Sequence, residues 1–258
     1  MKRSEINQIL VNAKAFMAEK QFMLPPWAYW SVADWQAKKE DAREIIDNML
    51  GWDITDFGSG DFAQRGLTLF TVRNGKAGSS FGKTYAEKIM VVDDGQETPL
   101  HFHFQKAEDI INRGGGKLLL QLWNSEGQGE KADTPVSVSI DGVRRTLAAG
   151  GVVSLAPGES ICLTRGLYHR FWGEGKVLVG EVSQVNDDFS DNRFYEDVGR
   201  FTAMVSEMSE AVQFLFVTHN KVTMEAARQL SGVTMREPGV SRLVSVDLAE
   251  AARMAGAA

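Results

Sequence analysis

The stretch from residue 66 to residue 184 alternates short apolar segments with turns, and this texture limits the fold more than any other feature. "GLTLFTV", "AEKIMVV", "KLLLQLW", "VSVSI", "GVVSLA", "SICLT" and "KVLVGEVS" are strand-length and rich in branched or aromatic residues. Between them stand "RNGKAG", "DDGQ", "NRGGG", "NSEGQGE", "IDG", "PGE" and "WGEG", all rich in turn formers. Many short strands with regular turns predict a sandwich or barrel, not a parallel sheet with crossover helices. Ahead of them, Ile6, Ile9, Leu10, Ala13, Phe16 and Met17 recur at helical spacing over residues 4–20, with Ser4 as the expected cap. "EDAREIIDNML" predicts a second helix stopping at Gly51. "MLPPWAYWSVADW" reads as irregular, its tryptophans serving as core filler or as the wall of a sugar pocket.

The chain has four histidines, and His101 and His103 sit one residue apart in "PLHFHFQKAEDIINRGGG". Strand side chains alternate faces, so both imidazoles point one way, while Phe102 and Phe104 point the other way as core aromatics. His169 lies on another expected strand, "TRGLYHRFWG", and Glu108 comes shortly after His103. A lone buried histidine is commonly a hydrogen-bonded core residue. Three imidazoles with a carboxylate are instead what a borderline divalent cation accepts, leaving open positions for substrate oxygens. Glu181 shares a strand face with Val177 and Val179, and an acid on an apolar face is a candidate base with a raised pKa.

Bulk properties exclude several partner classes. A formal net charge of −6 argues against nucleic acid, which requires a basic face. The single cysteine, Cys162, rules out an internal disulfide framework and fits a reducing compartment. "MKRSEINQIL" lacks the apolar core of a signal peptide and no run is long enough to span a bilayer, so a cytoplasmic protein without a membrane partner is expected.

The histidine segments resemble the cupin family. Its first motif, G(X)5HXH(X)4E(X)6G, is met by Gly95, His101, His103, Glu108 and Gly115. Its second is met by Gly158, Gly166 and His169, with Thr164 where proline is usual and Gly173 where asparagine is usual. More narrowly, "TPLHFHFQKAEDIINRGGGKL", "YAEKIMVVDDGQ", "YHRFWGEG" and "EVSQVNDDFSDNRFYEDVGRF" resemble the D-lyxose ketol-isomerases over residues 1–201. The resemblance implies a mainly β cupin barrel (a double-stranded β-helix or jelly roll) with N-terminal helices. It also implies a Mn²⁺-dependent homodimer interconverting D-lyxose and D-xylulose, with D-mannose and D-fructose as further substrates. Co²⁺, Fe²⁺ and Zn²⁺ are alternative cations, and the ligands would be His101, His103, Glu108 and His169. Glu181 and Lys106 are then candidate catalytic groups, and Lys88, Asp191 and Arg193 candidate sugar contacts. Against this, Lys88 and Lys106 could be surface charges and Glu181 a member of an ion pair. Rival functions are a metal- and sugar-binding sensor without catalysis, and a cupin dioxygenase.

Residues 202–258 change texture to helix, strand and helix, a short α/β segment similar to the extreme C-terminus of SMC chromosome-organising ATPases. "VTHN" resembles their switch-histidine strand and would give His219 a nucleotide-sensing role. "AGSSFGKT" at 77–84 matches a relaxed phosphate loop, but the adjoining "YAEKIMVVDDG" reads as a strand where a phosphate loop needs a helix. With no ABC signature present, no ATP binding is expected and the tail is expected to be functionless.

Overall fold

The computed structural model describes residues 1–76, 82–127, 129–187 and 191–195, and the backbone of 229–237 and 240–247. The chain divides into two compact units, Met1–Val198 and Gly199–Ala258. The first begins with helices α1 (Arg3–Glu19), α2 (Val32–Lys38) and α3 (Arg43–Asp47). Its strands are β1 (Gly51–Thr55), β2 (Leu67–Arg73), β3 (Tyr85–Val92), β4 (Glu97–His103), β5 (Glu108–Glu126) and β6 (Glu130–Ala132). They continue with β7 (Val136–Ile140), β8 (Val143–Leu147), β9 (Val152–Leu155), β10 (Ser160–Leu163), β11 (Leu167–Gln184) and β12 (Asn192–Phe194). These form one sheet of order β1-β2-β3-β11-β5-β10-β7-β8, with β4 between β11 and β12, and with β6 and β9 on β5. The unit is mainly β and its strand pairs are antiparallel, with inward side chains packed in one core, the arrangement expected of a cupin barrel.

Period-two alternation sorts two apolar layers. Leu67, Leu69, Met90, Val92, Val177 and Val179 point inward to the barrel core, joined by Leu118, Leu120 and Leu122 of β5. Their neighbours Phe70, Ile89, Val91 and Leu178 point outward, where Ala13, Phe16 and Met17 of α1 cover them. The spacing of those three helix residues is the i, i+3, i+4 stripe of an amphipathic helix. Burial of Phe16 and of Met17 contributes roughly 1.5–3 kcal/mol each.

Several local expectations are corrected. The α1 cap is Lys2, two residues before the expected Ser4, because the Glu5 carboxylate accepts from the Lys2 N–H at 2.7 Å, and a charged acceptor outcompetes a hydroxyl. α3 is short: Met49 takes the left-handed turn (φ 53°), and Gly51 opens β1 rather than ending a helix. The tryptophan-rich segment contains a 3₁₀ turn, Pro26–Tyr29, and α2, which Ser31 caps on Asp34. Trp27 stacks on Phe70 in the outer layer, and Trp30 packs edge-on against Trp35, so both serve as packing. Phe104 is exposed, so only Phe102 is a core aromatic. β1, β6, β8 and β12 lacked a strong apolar pattern in the sequence.

In the second unit, β13 (Gln229–Glu237) and β14 (Val240–Asp247) pair antiparallel as a hairpin. The helix–strand–helix reading did not include it, although the two segments carry branched residues and flank Pro238 and Gly239. The expected strand "VQFLFVT" and His219 lie outside the described residues. No helix among the described residues is long and apolar enough to cross a membrane.

Gly115 shows how closely β5 and β11 approach. Its φ is 100°, and a Cβ there would stand 2.2 Å from the Lys176 carbonyl oxygen. Gly115→Ala should therefore cost more than about 2 kcal/mol of barrel stability. Gly142→Ala, where a Cβ would meet nothing within 4 Å, should cost less. Urea unfolding of the two variants checks the difference.

Candidate active site

The imidazoles expected to converge do so. His101 and His103 lie on the inner face of β4, and His169 of β11 is the cross-strand partner of His101. One ring nitrogen from each lies within 4.8 Å of the others, and all three residues are buried. His101 Nδ1–H donates to the Pro99 carbonyl at 2.7 Å, and His169 Nδ1–H donates to the Leu167 carbonyl at 3.0 Å. Each pairing leaves the Nε2 lone pair free. Burial, reinforced by His169 and His103, holds the His101 pKa well below the usual histidine value, so its ring is neutral, the form that ligates.

Glu108 opens β5 with Oε1 3.3 Å from His103 Nε2 and 3.2 Å from His169 Nε2. Burial alone would raise its pKa, but Lys106 and His103 outweigh burial and hold the carboxyl well below the usual range. Three imidazoles and an ionised carboxylate fit a divalent cation. His169 Nε2, on the side of the ring that faces Glu108, is buried without a hydrogen-bond partner, which costs free energy that a bound cation there would offset.

A string of alternating charges runs from this cluster along one cavity. Lys106 Nζ lies 2.9 Å from Glu108 Oε2, 2.8 Å from Glu181 Oε1 and 3.0 Å from Asn186 Oδ1. Lys88 Nζ donates to the same Asn186 oxygen at 2.8 Å and lies 3.9 Å from Glu181 Oε2. Both lysines are buried, so the surface-charge reading of them fails. Glu181 does share its face with Val177 and Val179, but its carboxylate meets two ammonium groups and the Ser183 hydroxyl (3.0 Å) rather than an apolar wall.

Asp191 and Arg193 sit elsewhere. The Asp191 carboxylate accepts from the backbone N–H groups of Gln105 (2.6 Å) and Lys106 (3.1 Å), clamping the loop that carries Lys106. Arg193 lies between Asn192 and Phe194 on β12, and these two flanking residues line the cavity. Phe194 packs on the His101 ring at 5.3 Å and on Phe57 at 5.8 Å. The sequence pattern gave no sign of Asn186, Asn192 or Phe194. Thr164 and Gly173, the two departures from the cupin motif, do not line the cavity. Tyr85–Val92, directly after "AGSSFGKT", is a strand, and Lys83 pairs with Glu44.

Residues 1–219 match the family model of D-lyxose isomerase. The D-lyxose/D-mannose isomerase of Serratia proteamaculans is 53% identical over 207 residues, covering 78% of this chain and 91% of that one. Its counterpart in Escherichia coli O157:H7 is 53% identical over 206 residues, with the same shares. The C-terminal part is similar to the chromosome partition protein Smc of Xanthomonas oryzae pv. oryzae, 84% identical over 62 residues. That match covers 24% of this chain and 5% of the Smc protein.

The Asp191 clamp generates a stability test. Asp191→Asn keeps the shape but replaces one of the two accepting oxygens with an NH2 donor, leaving one of the two N–H groups without its acceptor, so unfolding free energy in urea should fall by about 1–3 kcal/mol.

Proposed function

The chain belongs to the D-lyxose isomerase family, and on that premise we propose that it interconverts D-lyxose and D-xylulose, and also D-mannose and D-fructose. The cation in this reading is divalent, Mn²⁺ before Co²⁺, Fe²⁺ or Zn²⁺, with His101, His103, Glu108 and His169 as its ligands. A homodimer in the cytoplasm is part of the same proposal. What carries it is the meeting, at one cavity, of three imidazole nitrogens with the Glu108–Lys106–Glu181 string.

Aldose–ketose exchange requires the C2–H bond of the open-chain aldose to break. Its electron pair forms the double bond of a cis-enediolate, and the proton returns at C1 as O2 becomes the carbonyl. A divalent cation, when bound, supplies Lewis-acid polarisation of the two substrate oxygens. Glu181 is the residue proposed to take and return the proton, as a carboxylate fixed by Lys106 and Ser183 at the cavity wall. Lys106 and Lys88 place positive charge where the enediolate develops negative charge. Asn186 holds both ammonium groups on one oxygen, so neither has to reorganise during the reaction.

Two outcomes are expected. His103→Ala and His169→Ala should each lower bound Mn²⁺ after reloading, measured by elemental analysis, and abolish turnover of D-lyxose; normal metal content in both would exclude the ligand assignment. Isomerisation in heavy water should place deuterium at C1 or C2 of the sugar. Glu181→Gln should lower kcat at least a hundredfold with a smaller change in KM, whereas full retention of the substrate hydrogen would indicate hydride transfer.

A further inference from the structure

β4 does not run straight past β11. Phe171 pairs with Thr98 and His169 with His101, so two steps on β11 face three steps on β4, and the extra residue is a β-bulge. Pro99 sits within it and has no N–H to give the ladder, which is where a strand accommodates such an irregularity. The bulge changes which way the side chains face. Leu100 and Phe102 pack outward with Tyr168, while Thr98 turns inward and lines the same cavity as His101, His169 and Phe171.

Thr98 is 3% exposed, and its Oγ1 is buried without a hydrogen-bond partner. Phe171, which stands opposite it on β11, offers no side-chain donor or acceptor, and neither do Leu67 and Leu69, which line the same cavity. A hydroxyl buried in this way costs free energy unless a ligand pairs with it, and valine would fill the same space on a strand without that cost. Thr98 stands opposite Phe171, two residues along β11 from His169, or about 7 Å. That is comparable to an extended pentose with C1 and C2 held near the imidazoles.

We infer that the Thr98 hydroxyl is a specificity-determining contact for a sugar hydroxyl remote from C1 and C2. The inference rests on the isomerase reading above. It places the reacting carbons at the imidazole end of the cavity and the distal carbons beside the bulge.

The test compares wild type, Thr98→Val and Thr98→Ser, each loaded with Mn²⁺, on D-lyxose, 4-deoxy-D-lyxose and 5-deoxy-D-lyxose. Thr98→Val should lower kcat/KM for D-lyxose about tenfold, and Thr98→Ser should stay near wild type. For one of the two deoxy sugars, wild type and Thr98→Val should be equal, because the partner hydroxyl is already missing. The melting temperature of Thr98→Val should match or exceed that of wild type, which a merely structural hydroxyl bond would not allow. Unchanged turnover of D-lyxose by Thr98→Val, or an equal loss on all three sugars, would overturn the inference while leaving the isomerase reading intact. A wild type inactive on every aldose would defeat that reading, and this inference with it.

Discussion

The buried ammonium of Lys106 is the interaction on which the rest of the site depends. Two buried carboxylates from the paired central strands converge on one cation: Glu108 at the start of β5 and Glu181 near the end of β11. Burial would lower the Lys106 pKa, but Glu108 and Glu181 outweigh burial and raise it, so the group stays charged. Buried charges are tolerated only when paired and hydrogen-bonded, and removing one member leaves the others uncompensated. The surrounding structure supplies that pairing. Asp191 fixes the loop from below, and Asn186 accepts from both lysines. Asn74 in turn exchanges two 3.0 Å hydrogen bonds with the Asn186 backbone.

Much of this was legible in the sequence because strands have a period of two. The parity that puts His101 and His103 on one face is the parity that puts Glu181 with Val177 and Val179, and both hold in the fold. The glycine framing located Glu108 and His169 relative to the pair. β3, β7 and β10 were visible from branched, apolar runs, and their observed bounds depart by no more than a residue from those runs.

What was illegible has a physical reason in each case. Asn186 lies past the end of β11, where no periodic signal operates, and its role comes from a contact with Lys88 far away in sequence. Asn192 and Phe194 line the cavity and Arg193 does not, and a three-residue strand is too short for the sequence to show which face each residue takes. Asp191 carries the charge expected of a sugar contact, but its oxygens are taken by the backbone. Pro99 was a readable sign that β4 could not be regular. Its consequence, an inward Thr98, depends on the register with β11, which the chain does not spell out locally.

The two longest strands have a consequence of their own. β5 and β11 pair along nearly their whole length, and between them they carry Glu108, His169 and Glu181. In many enzymes the reactive groups ride on loops that open cheaply while the scaffold stays closed. Here they sit on the central ladder, so exposing them means melting the barrel. Slow amide exchange at the site and in the core should then report a single opening event. Any cation that binds only the folded form would raise the free energy of that event throughout the unit, by an amount set by its concentration relative to its Kd.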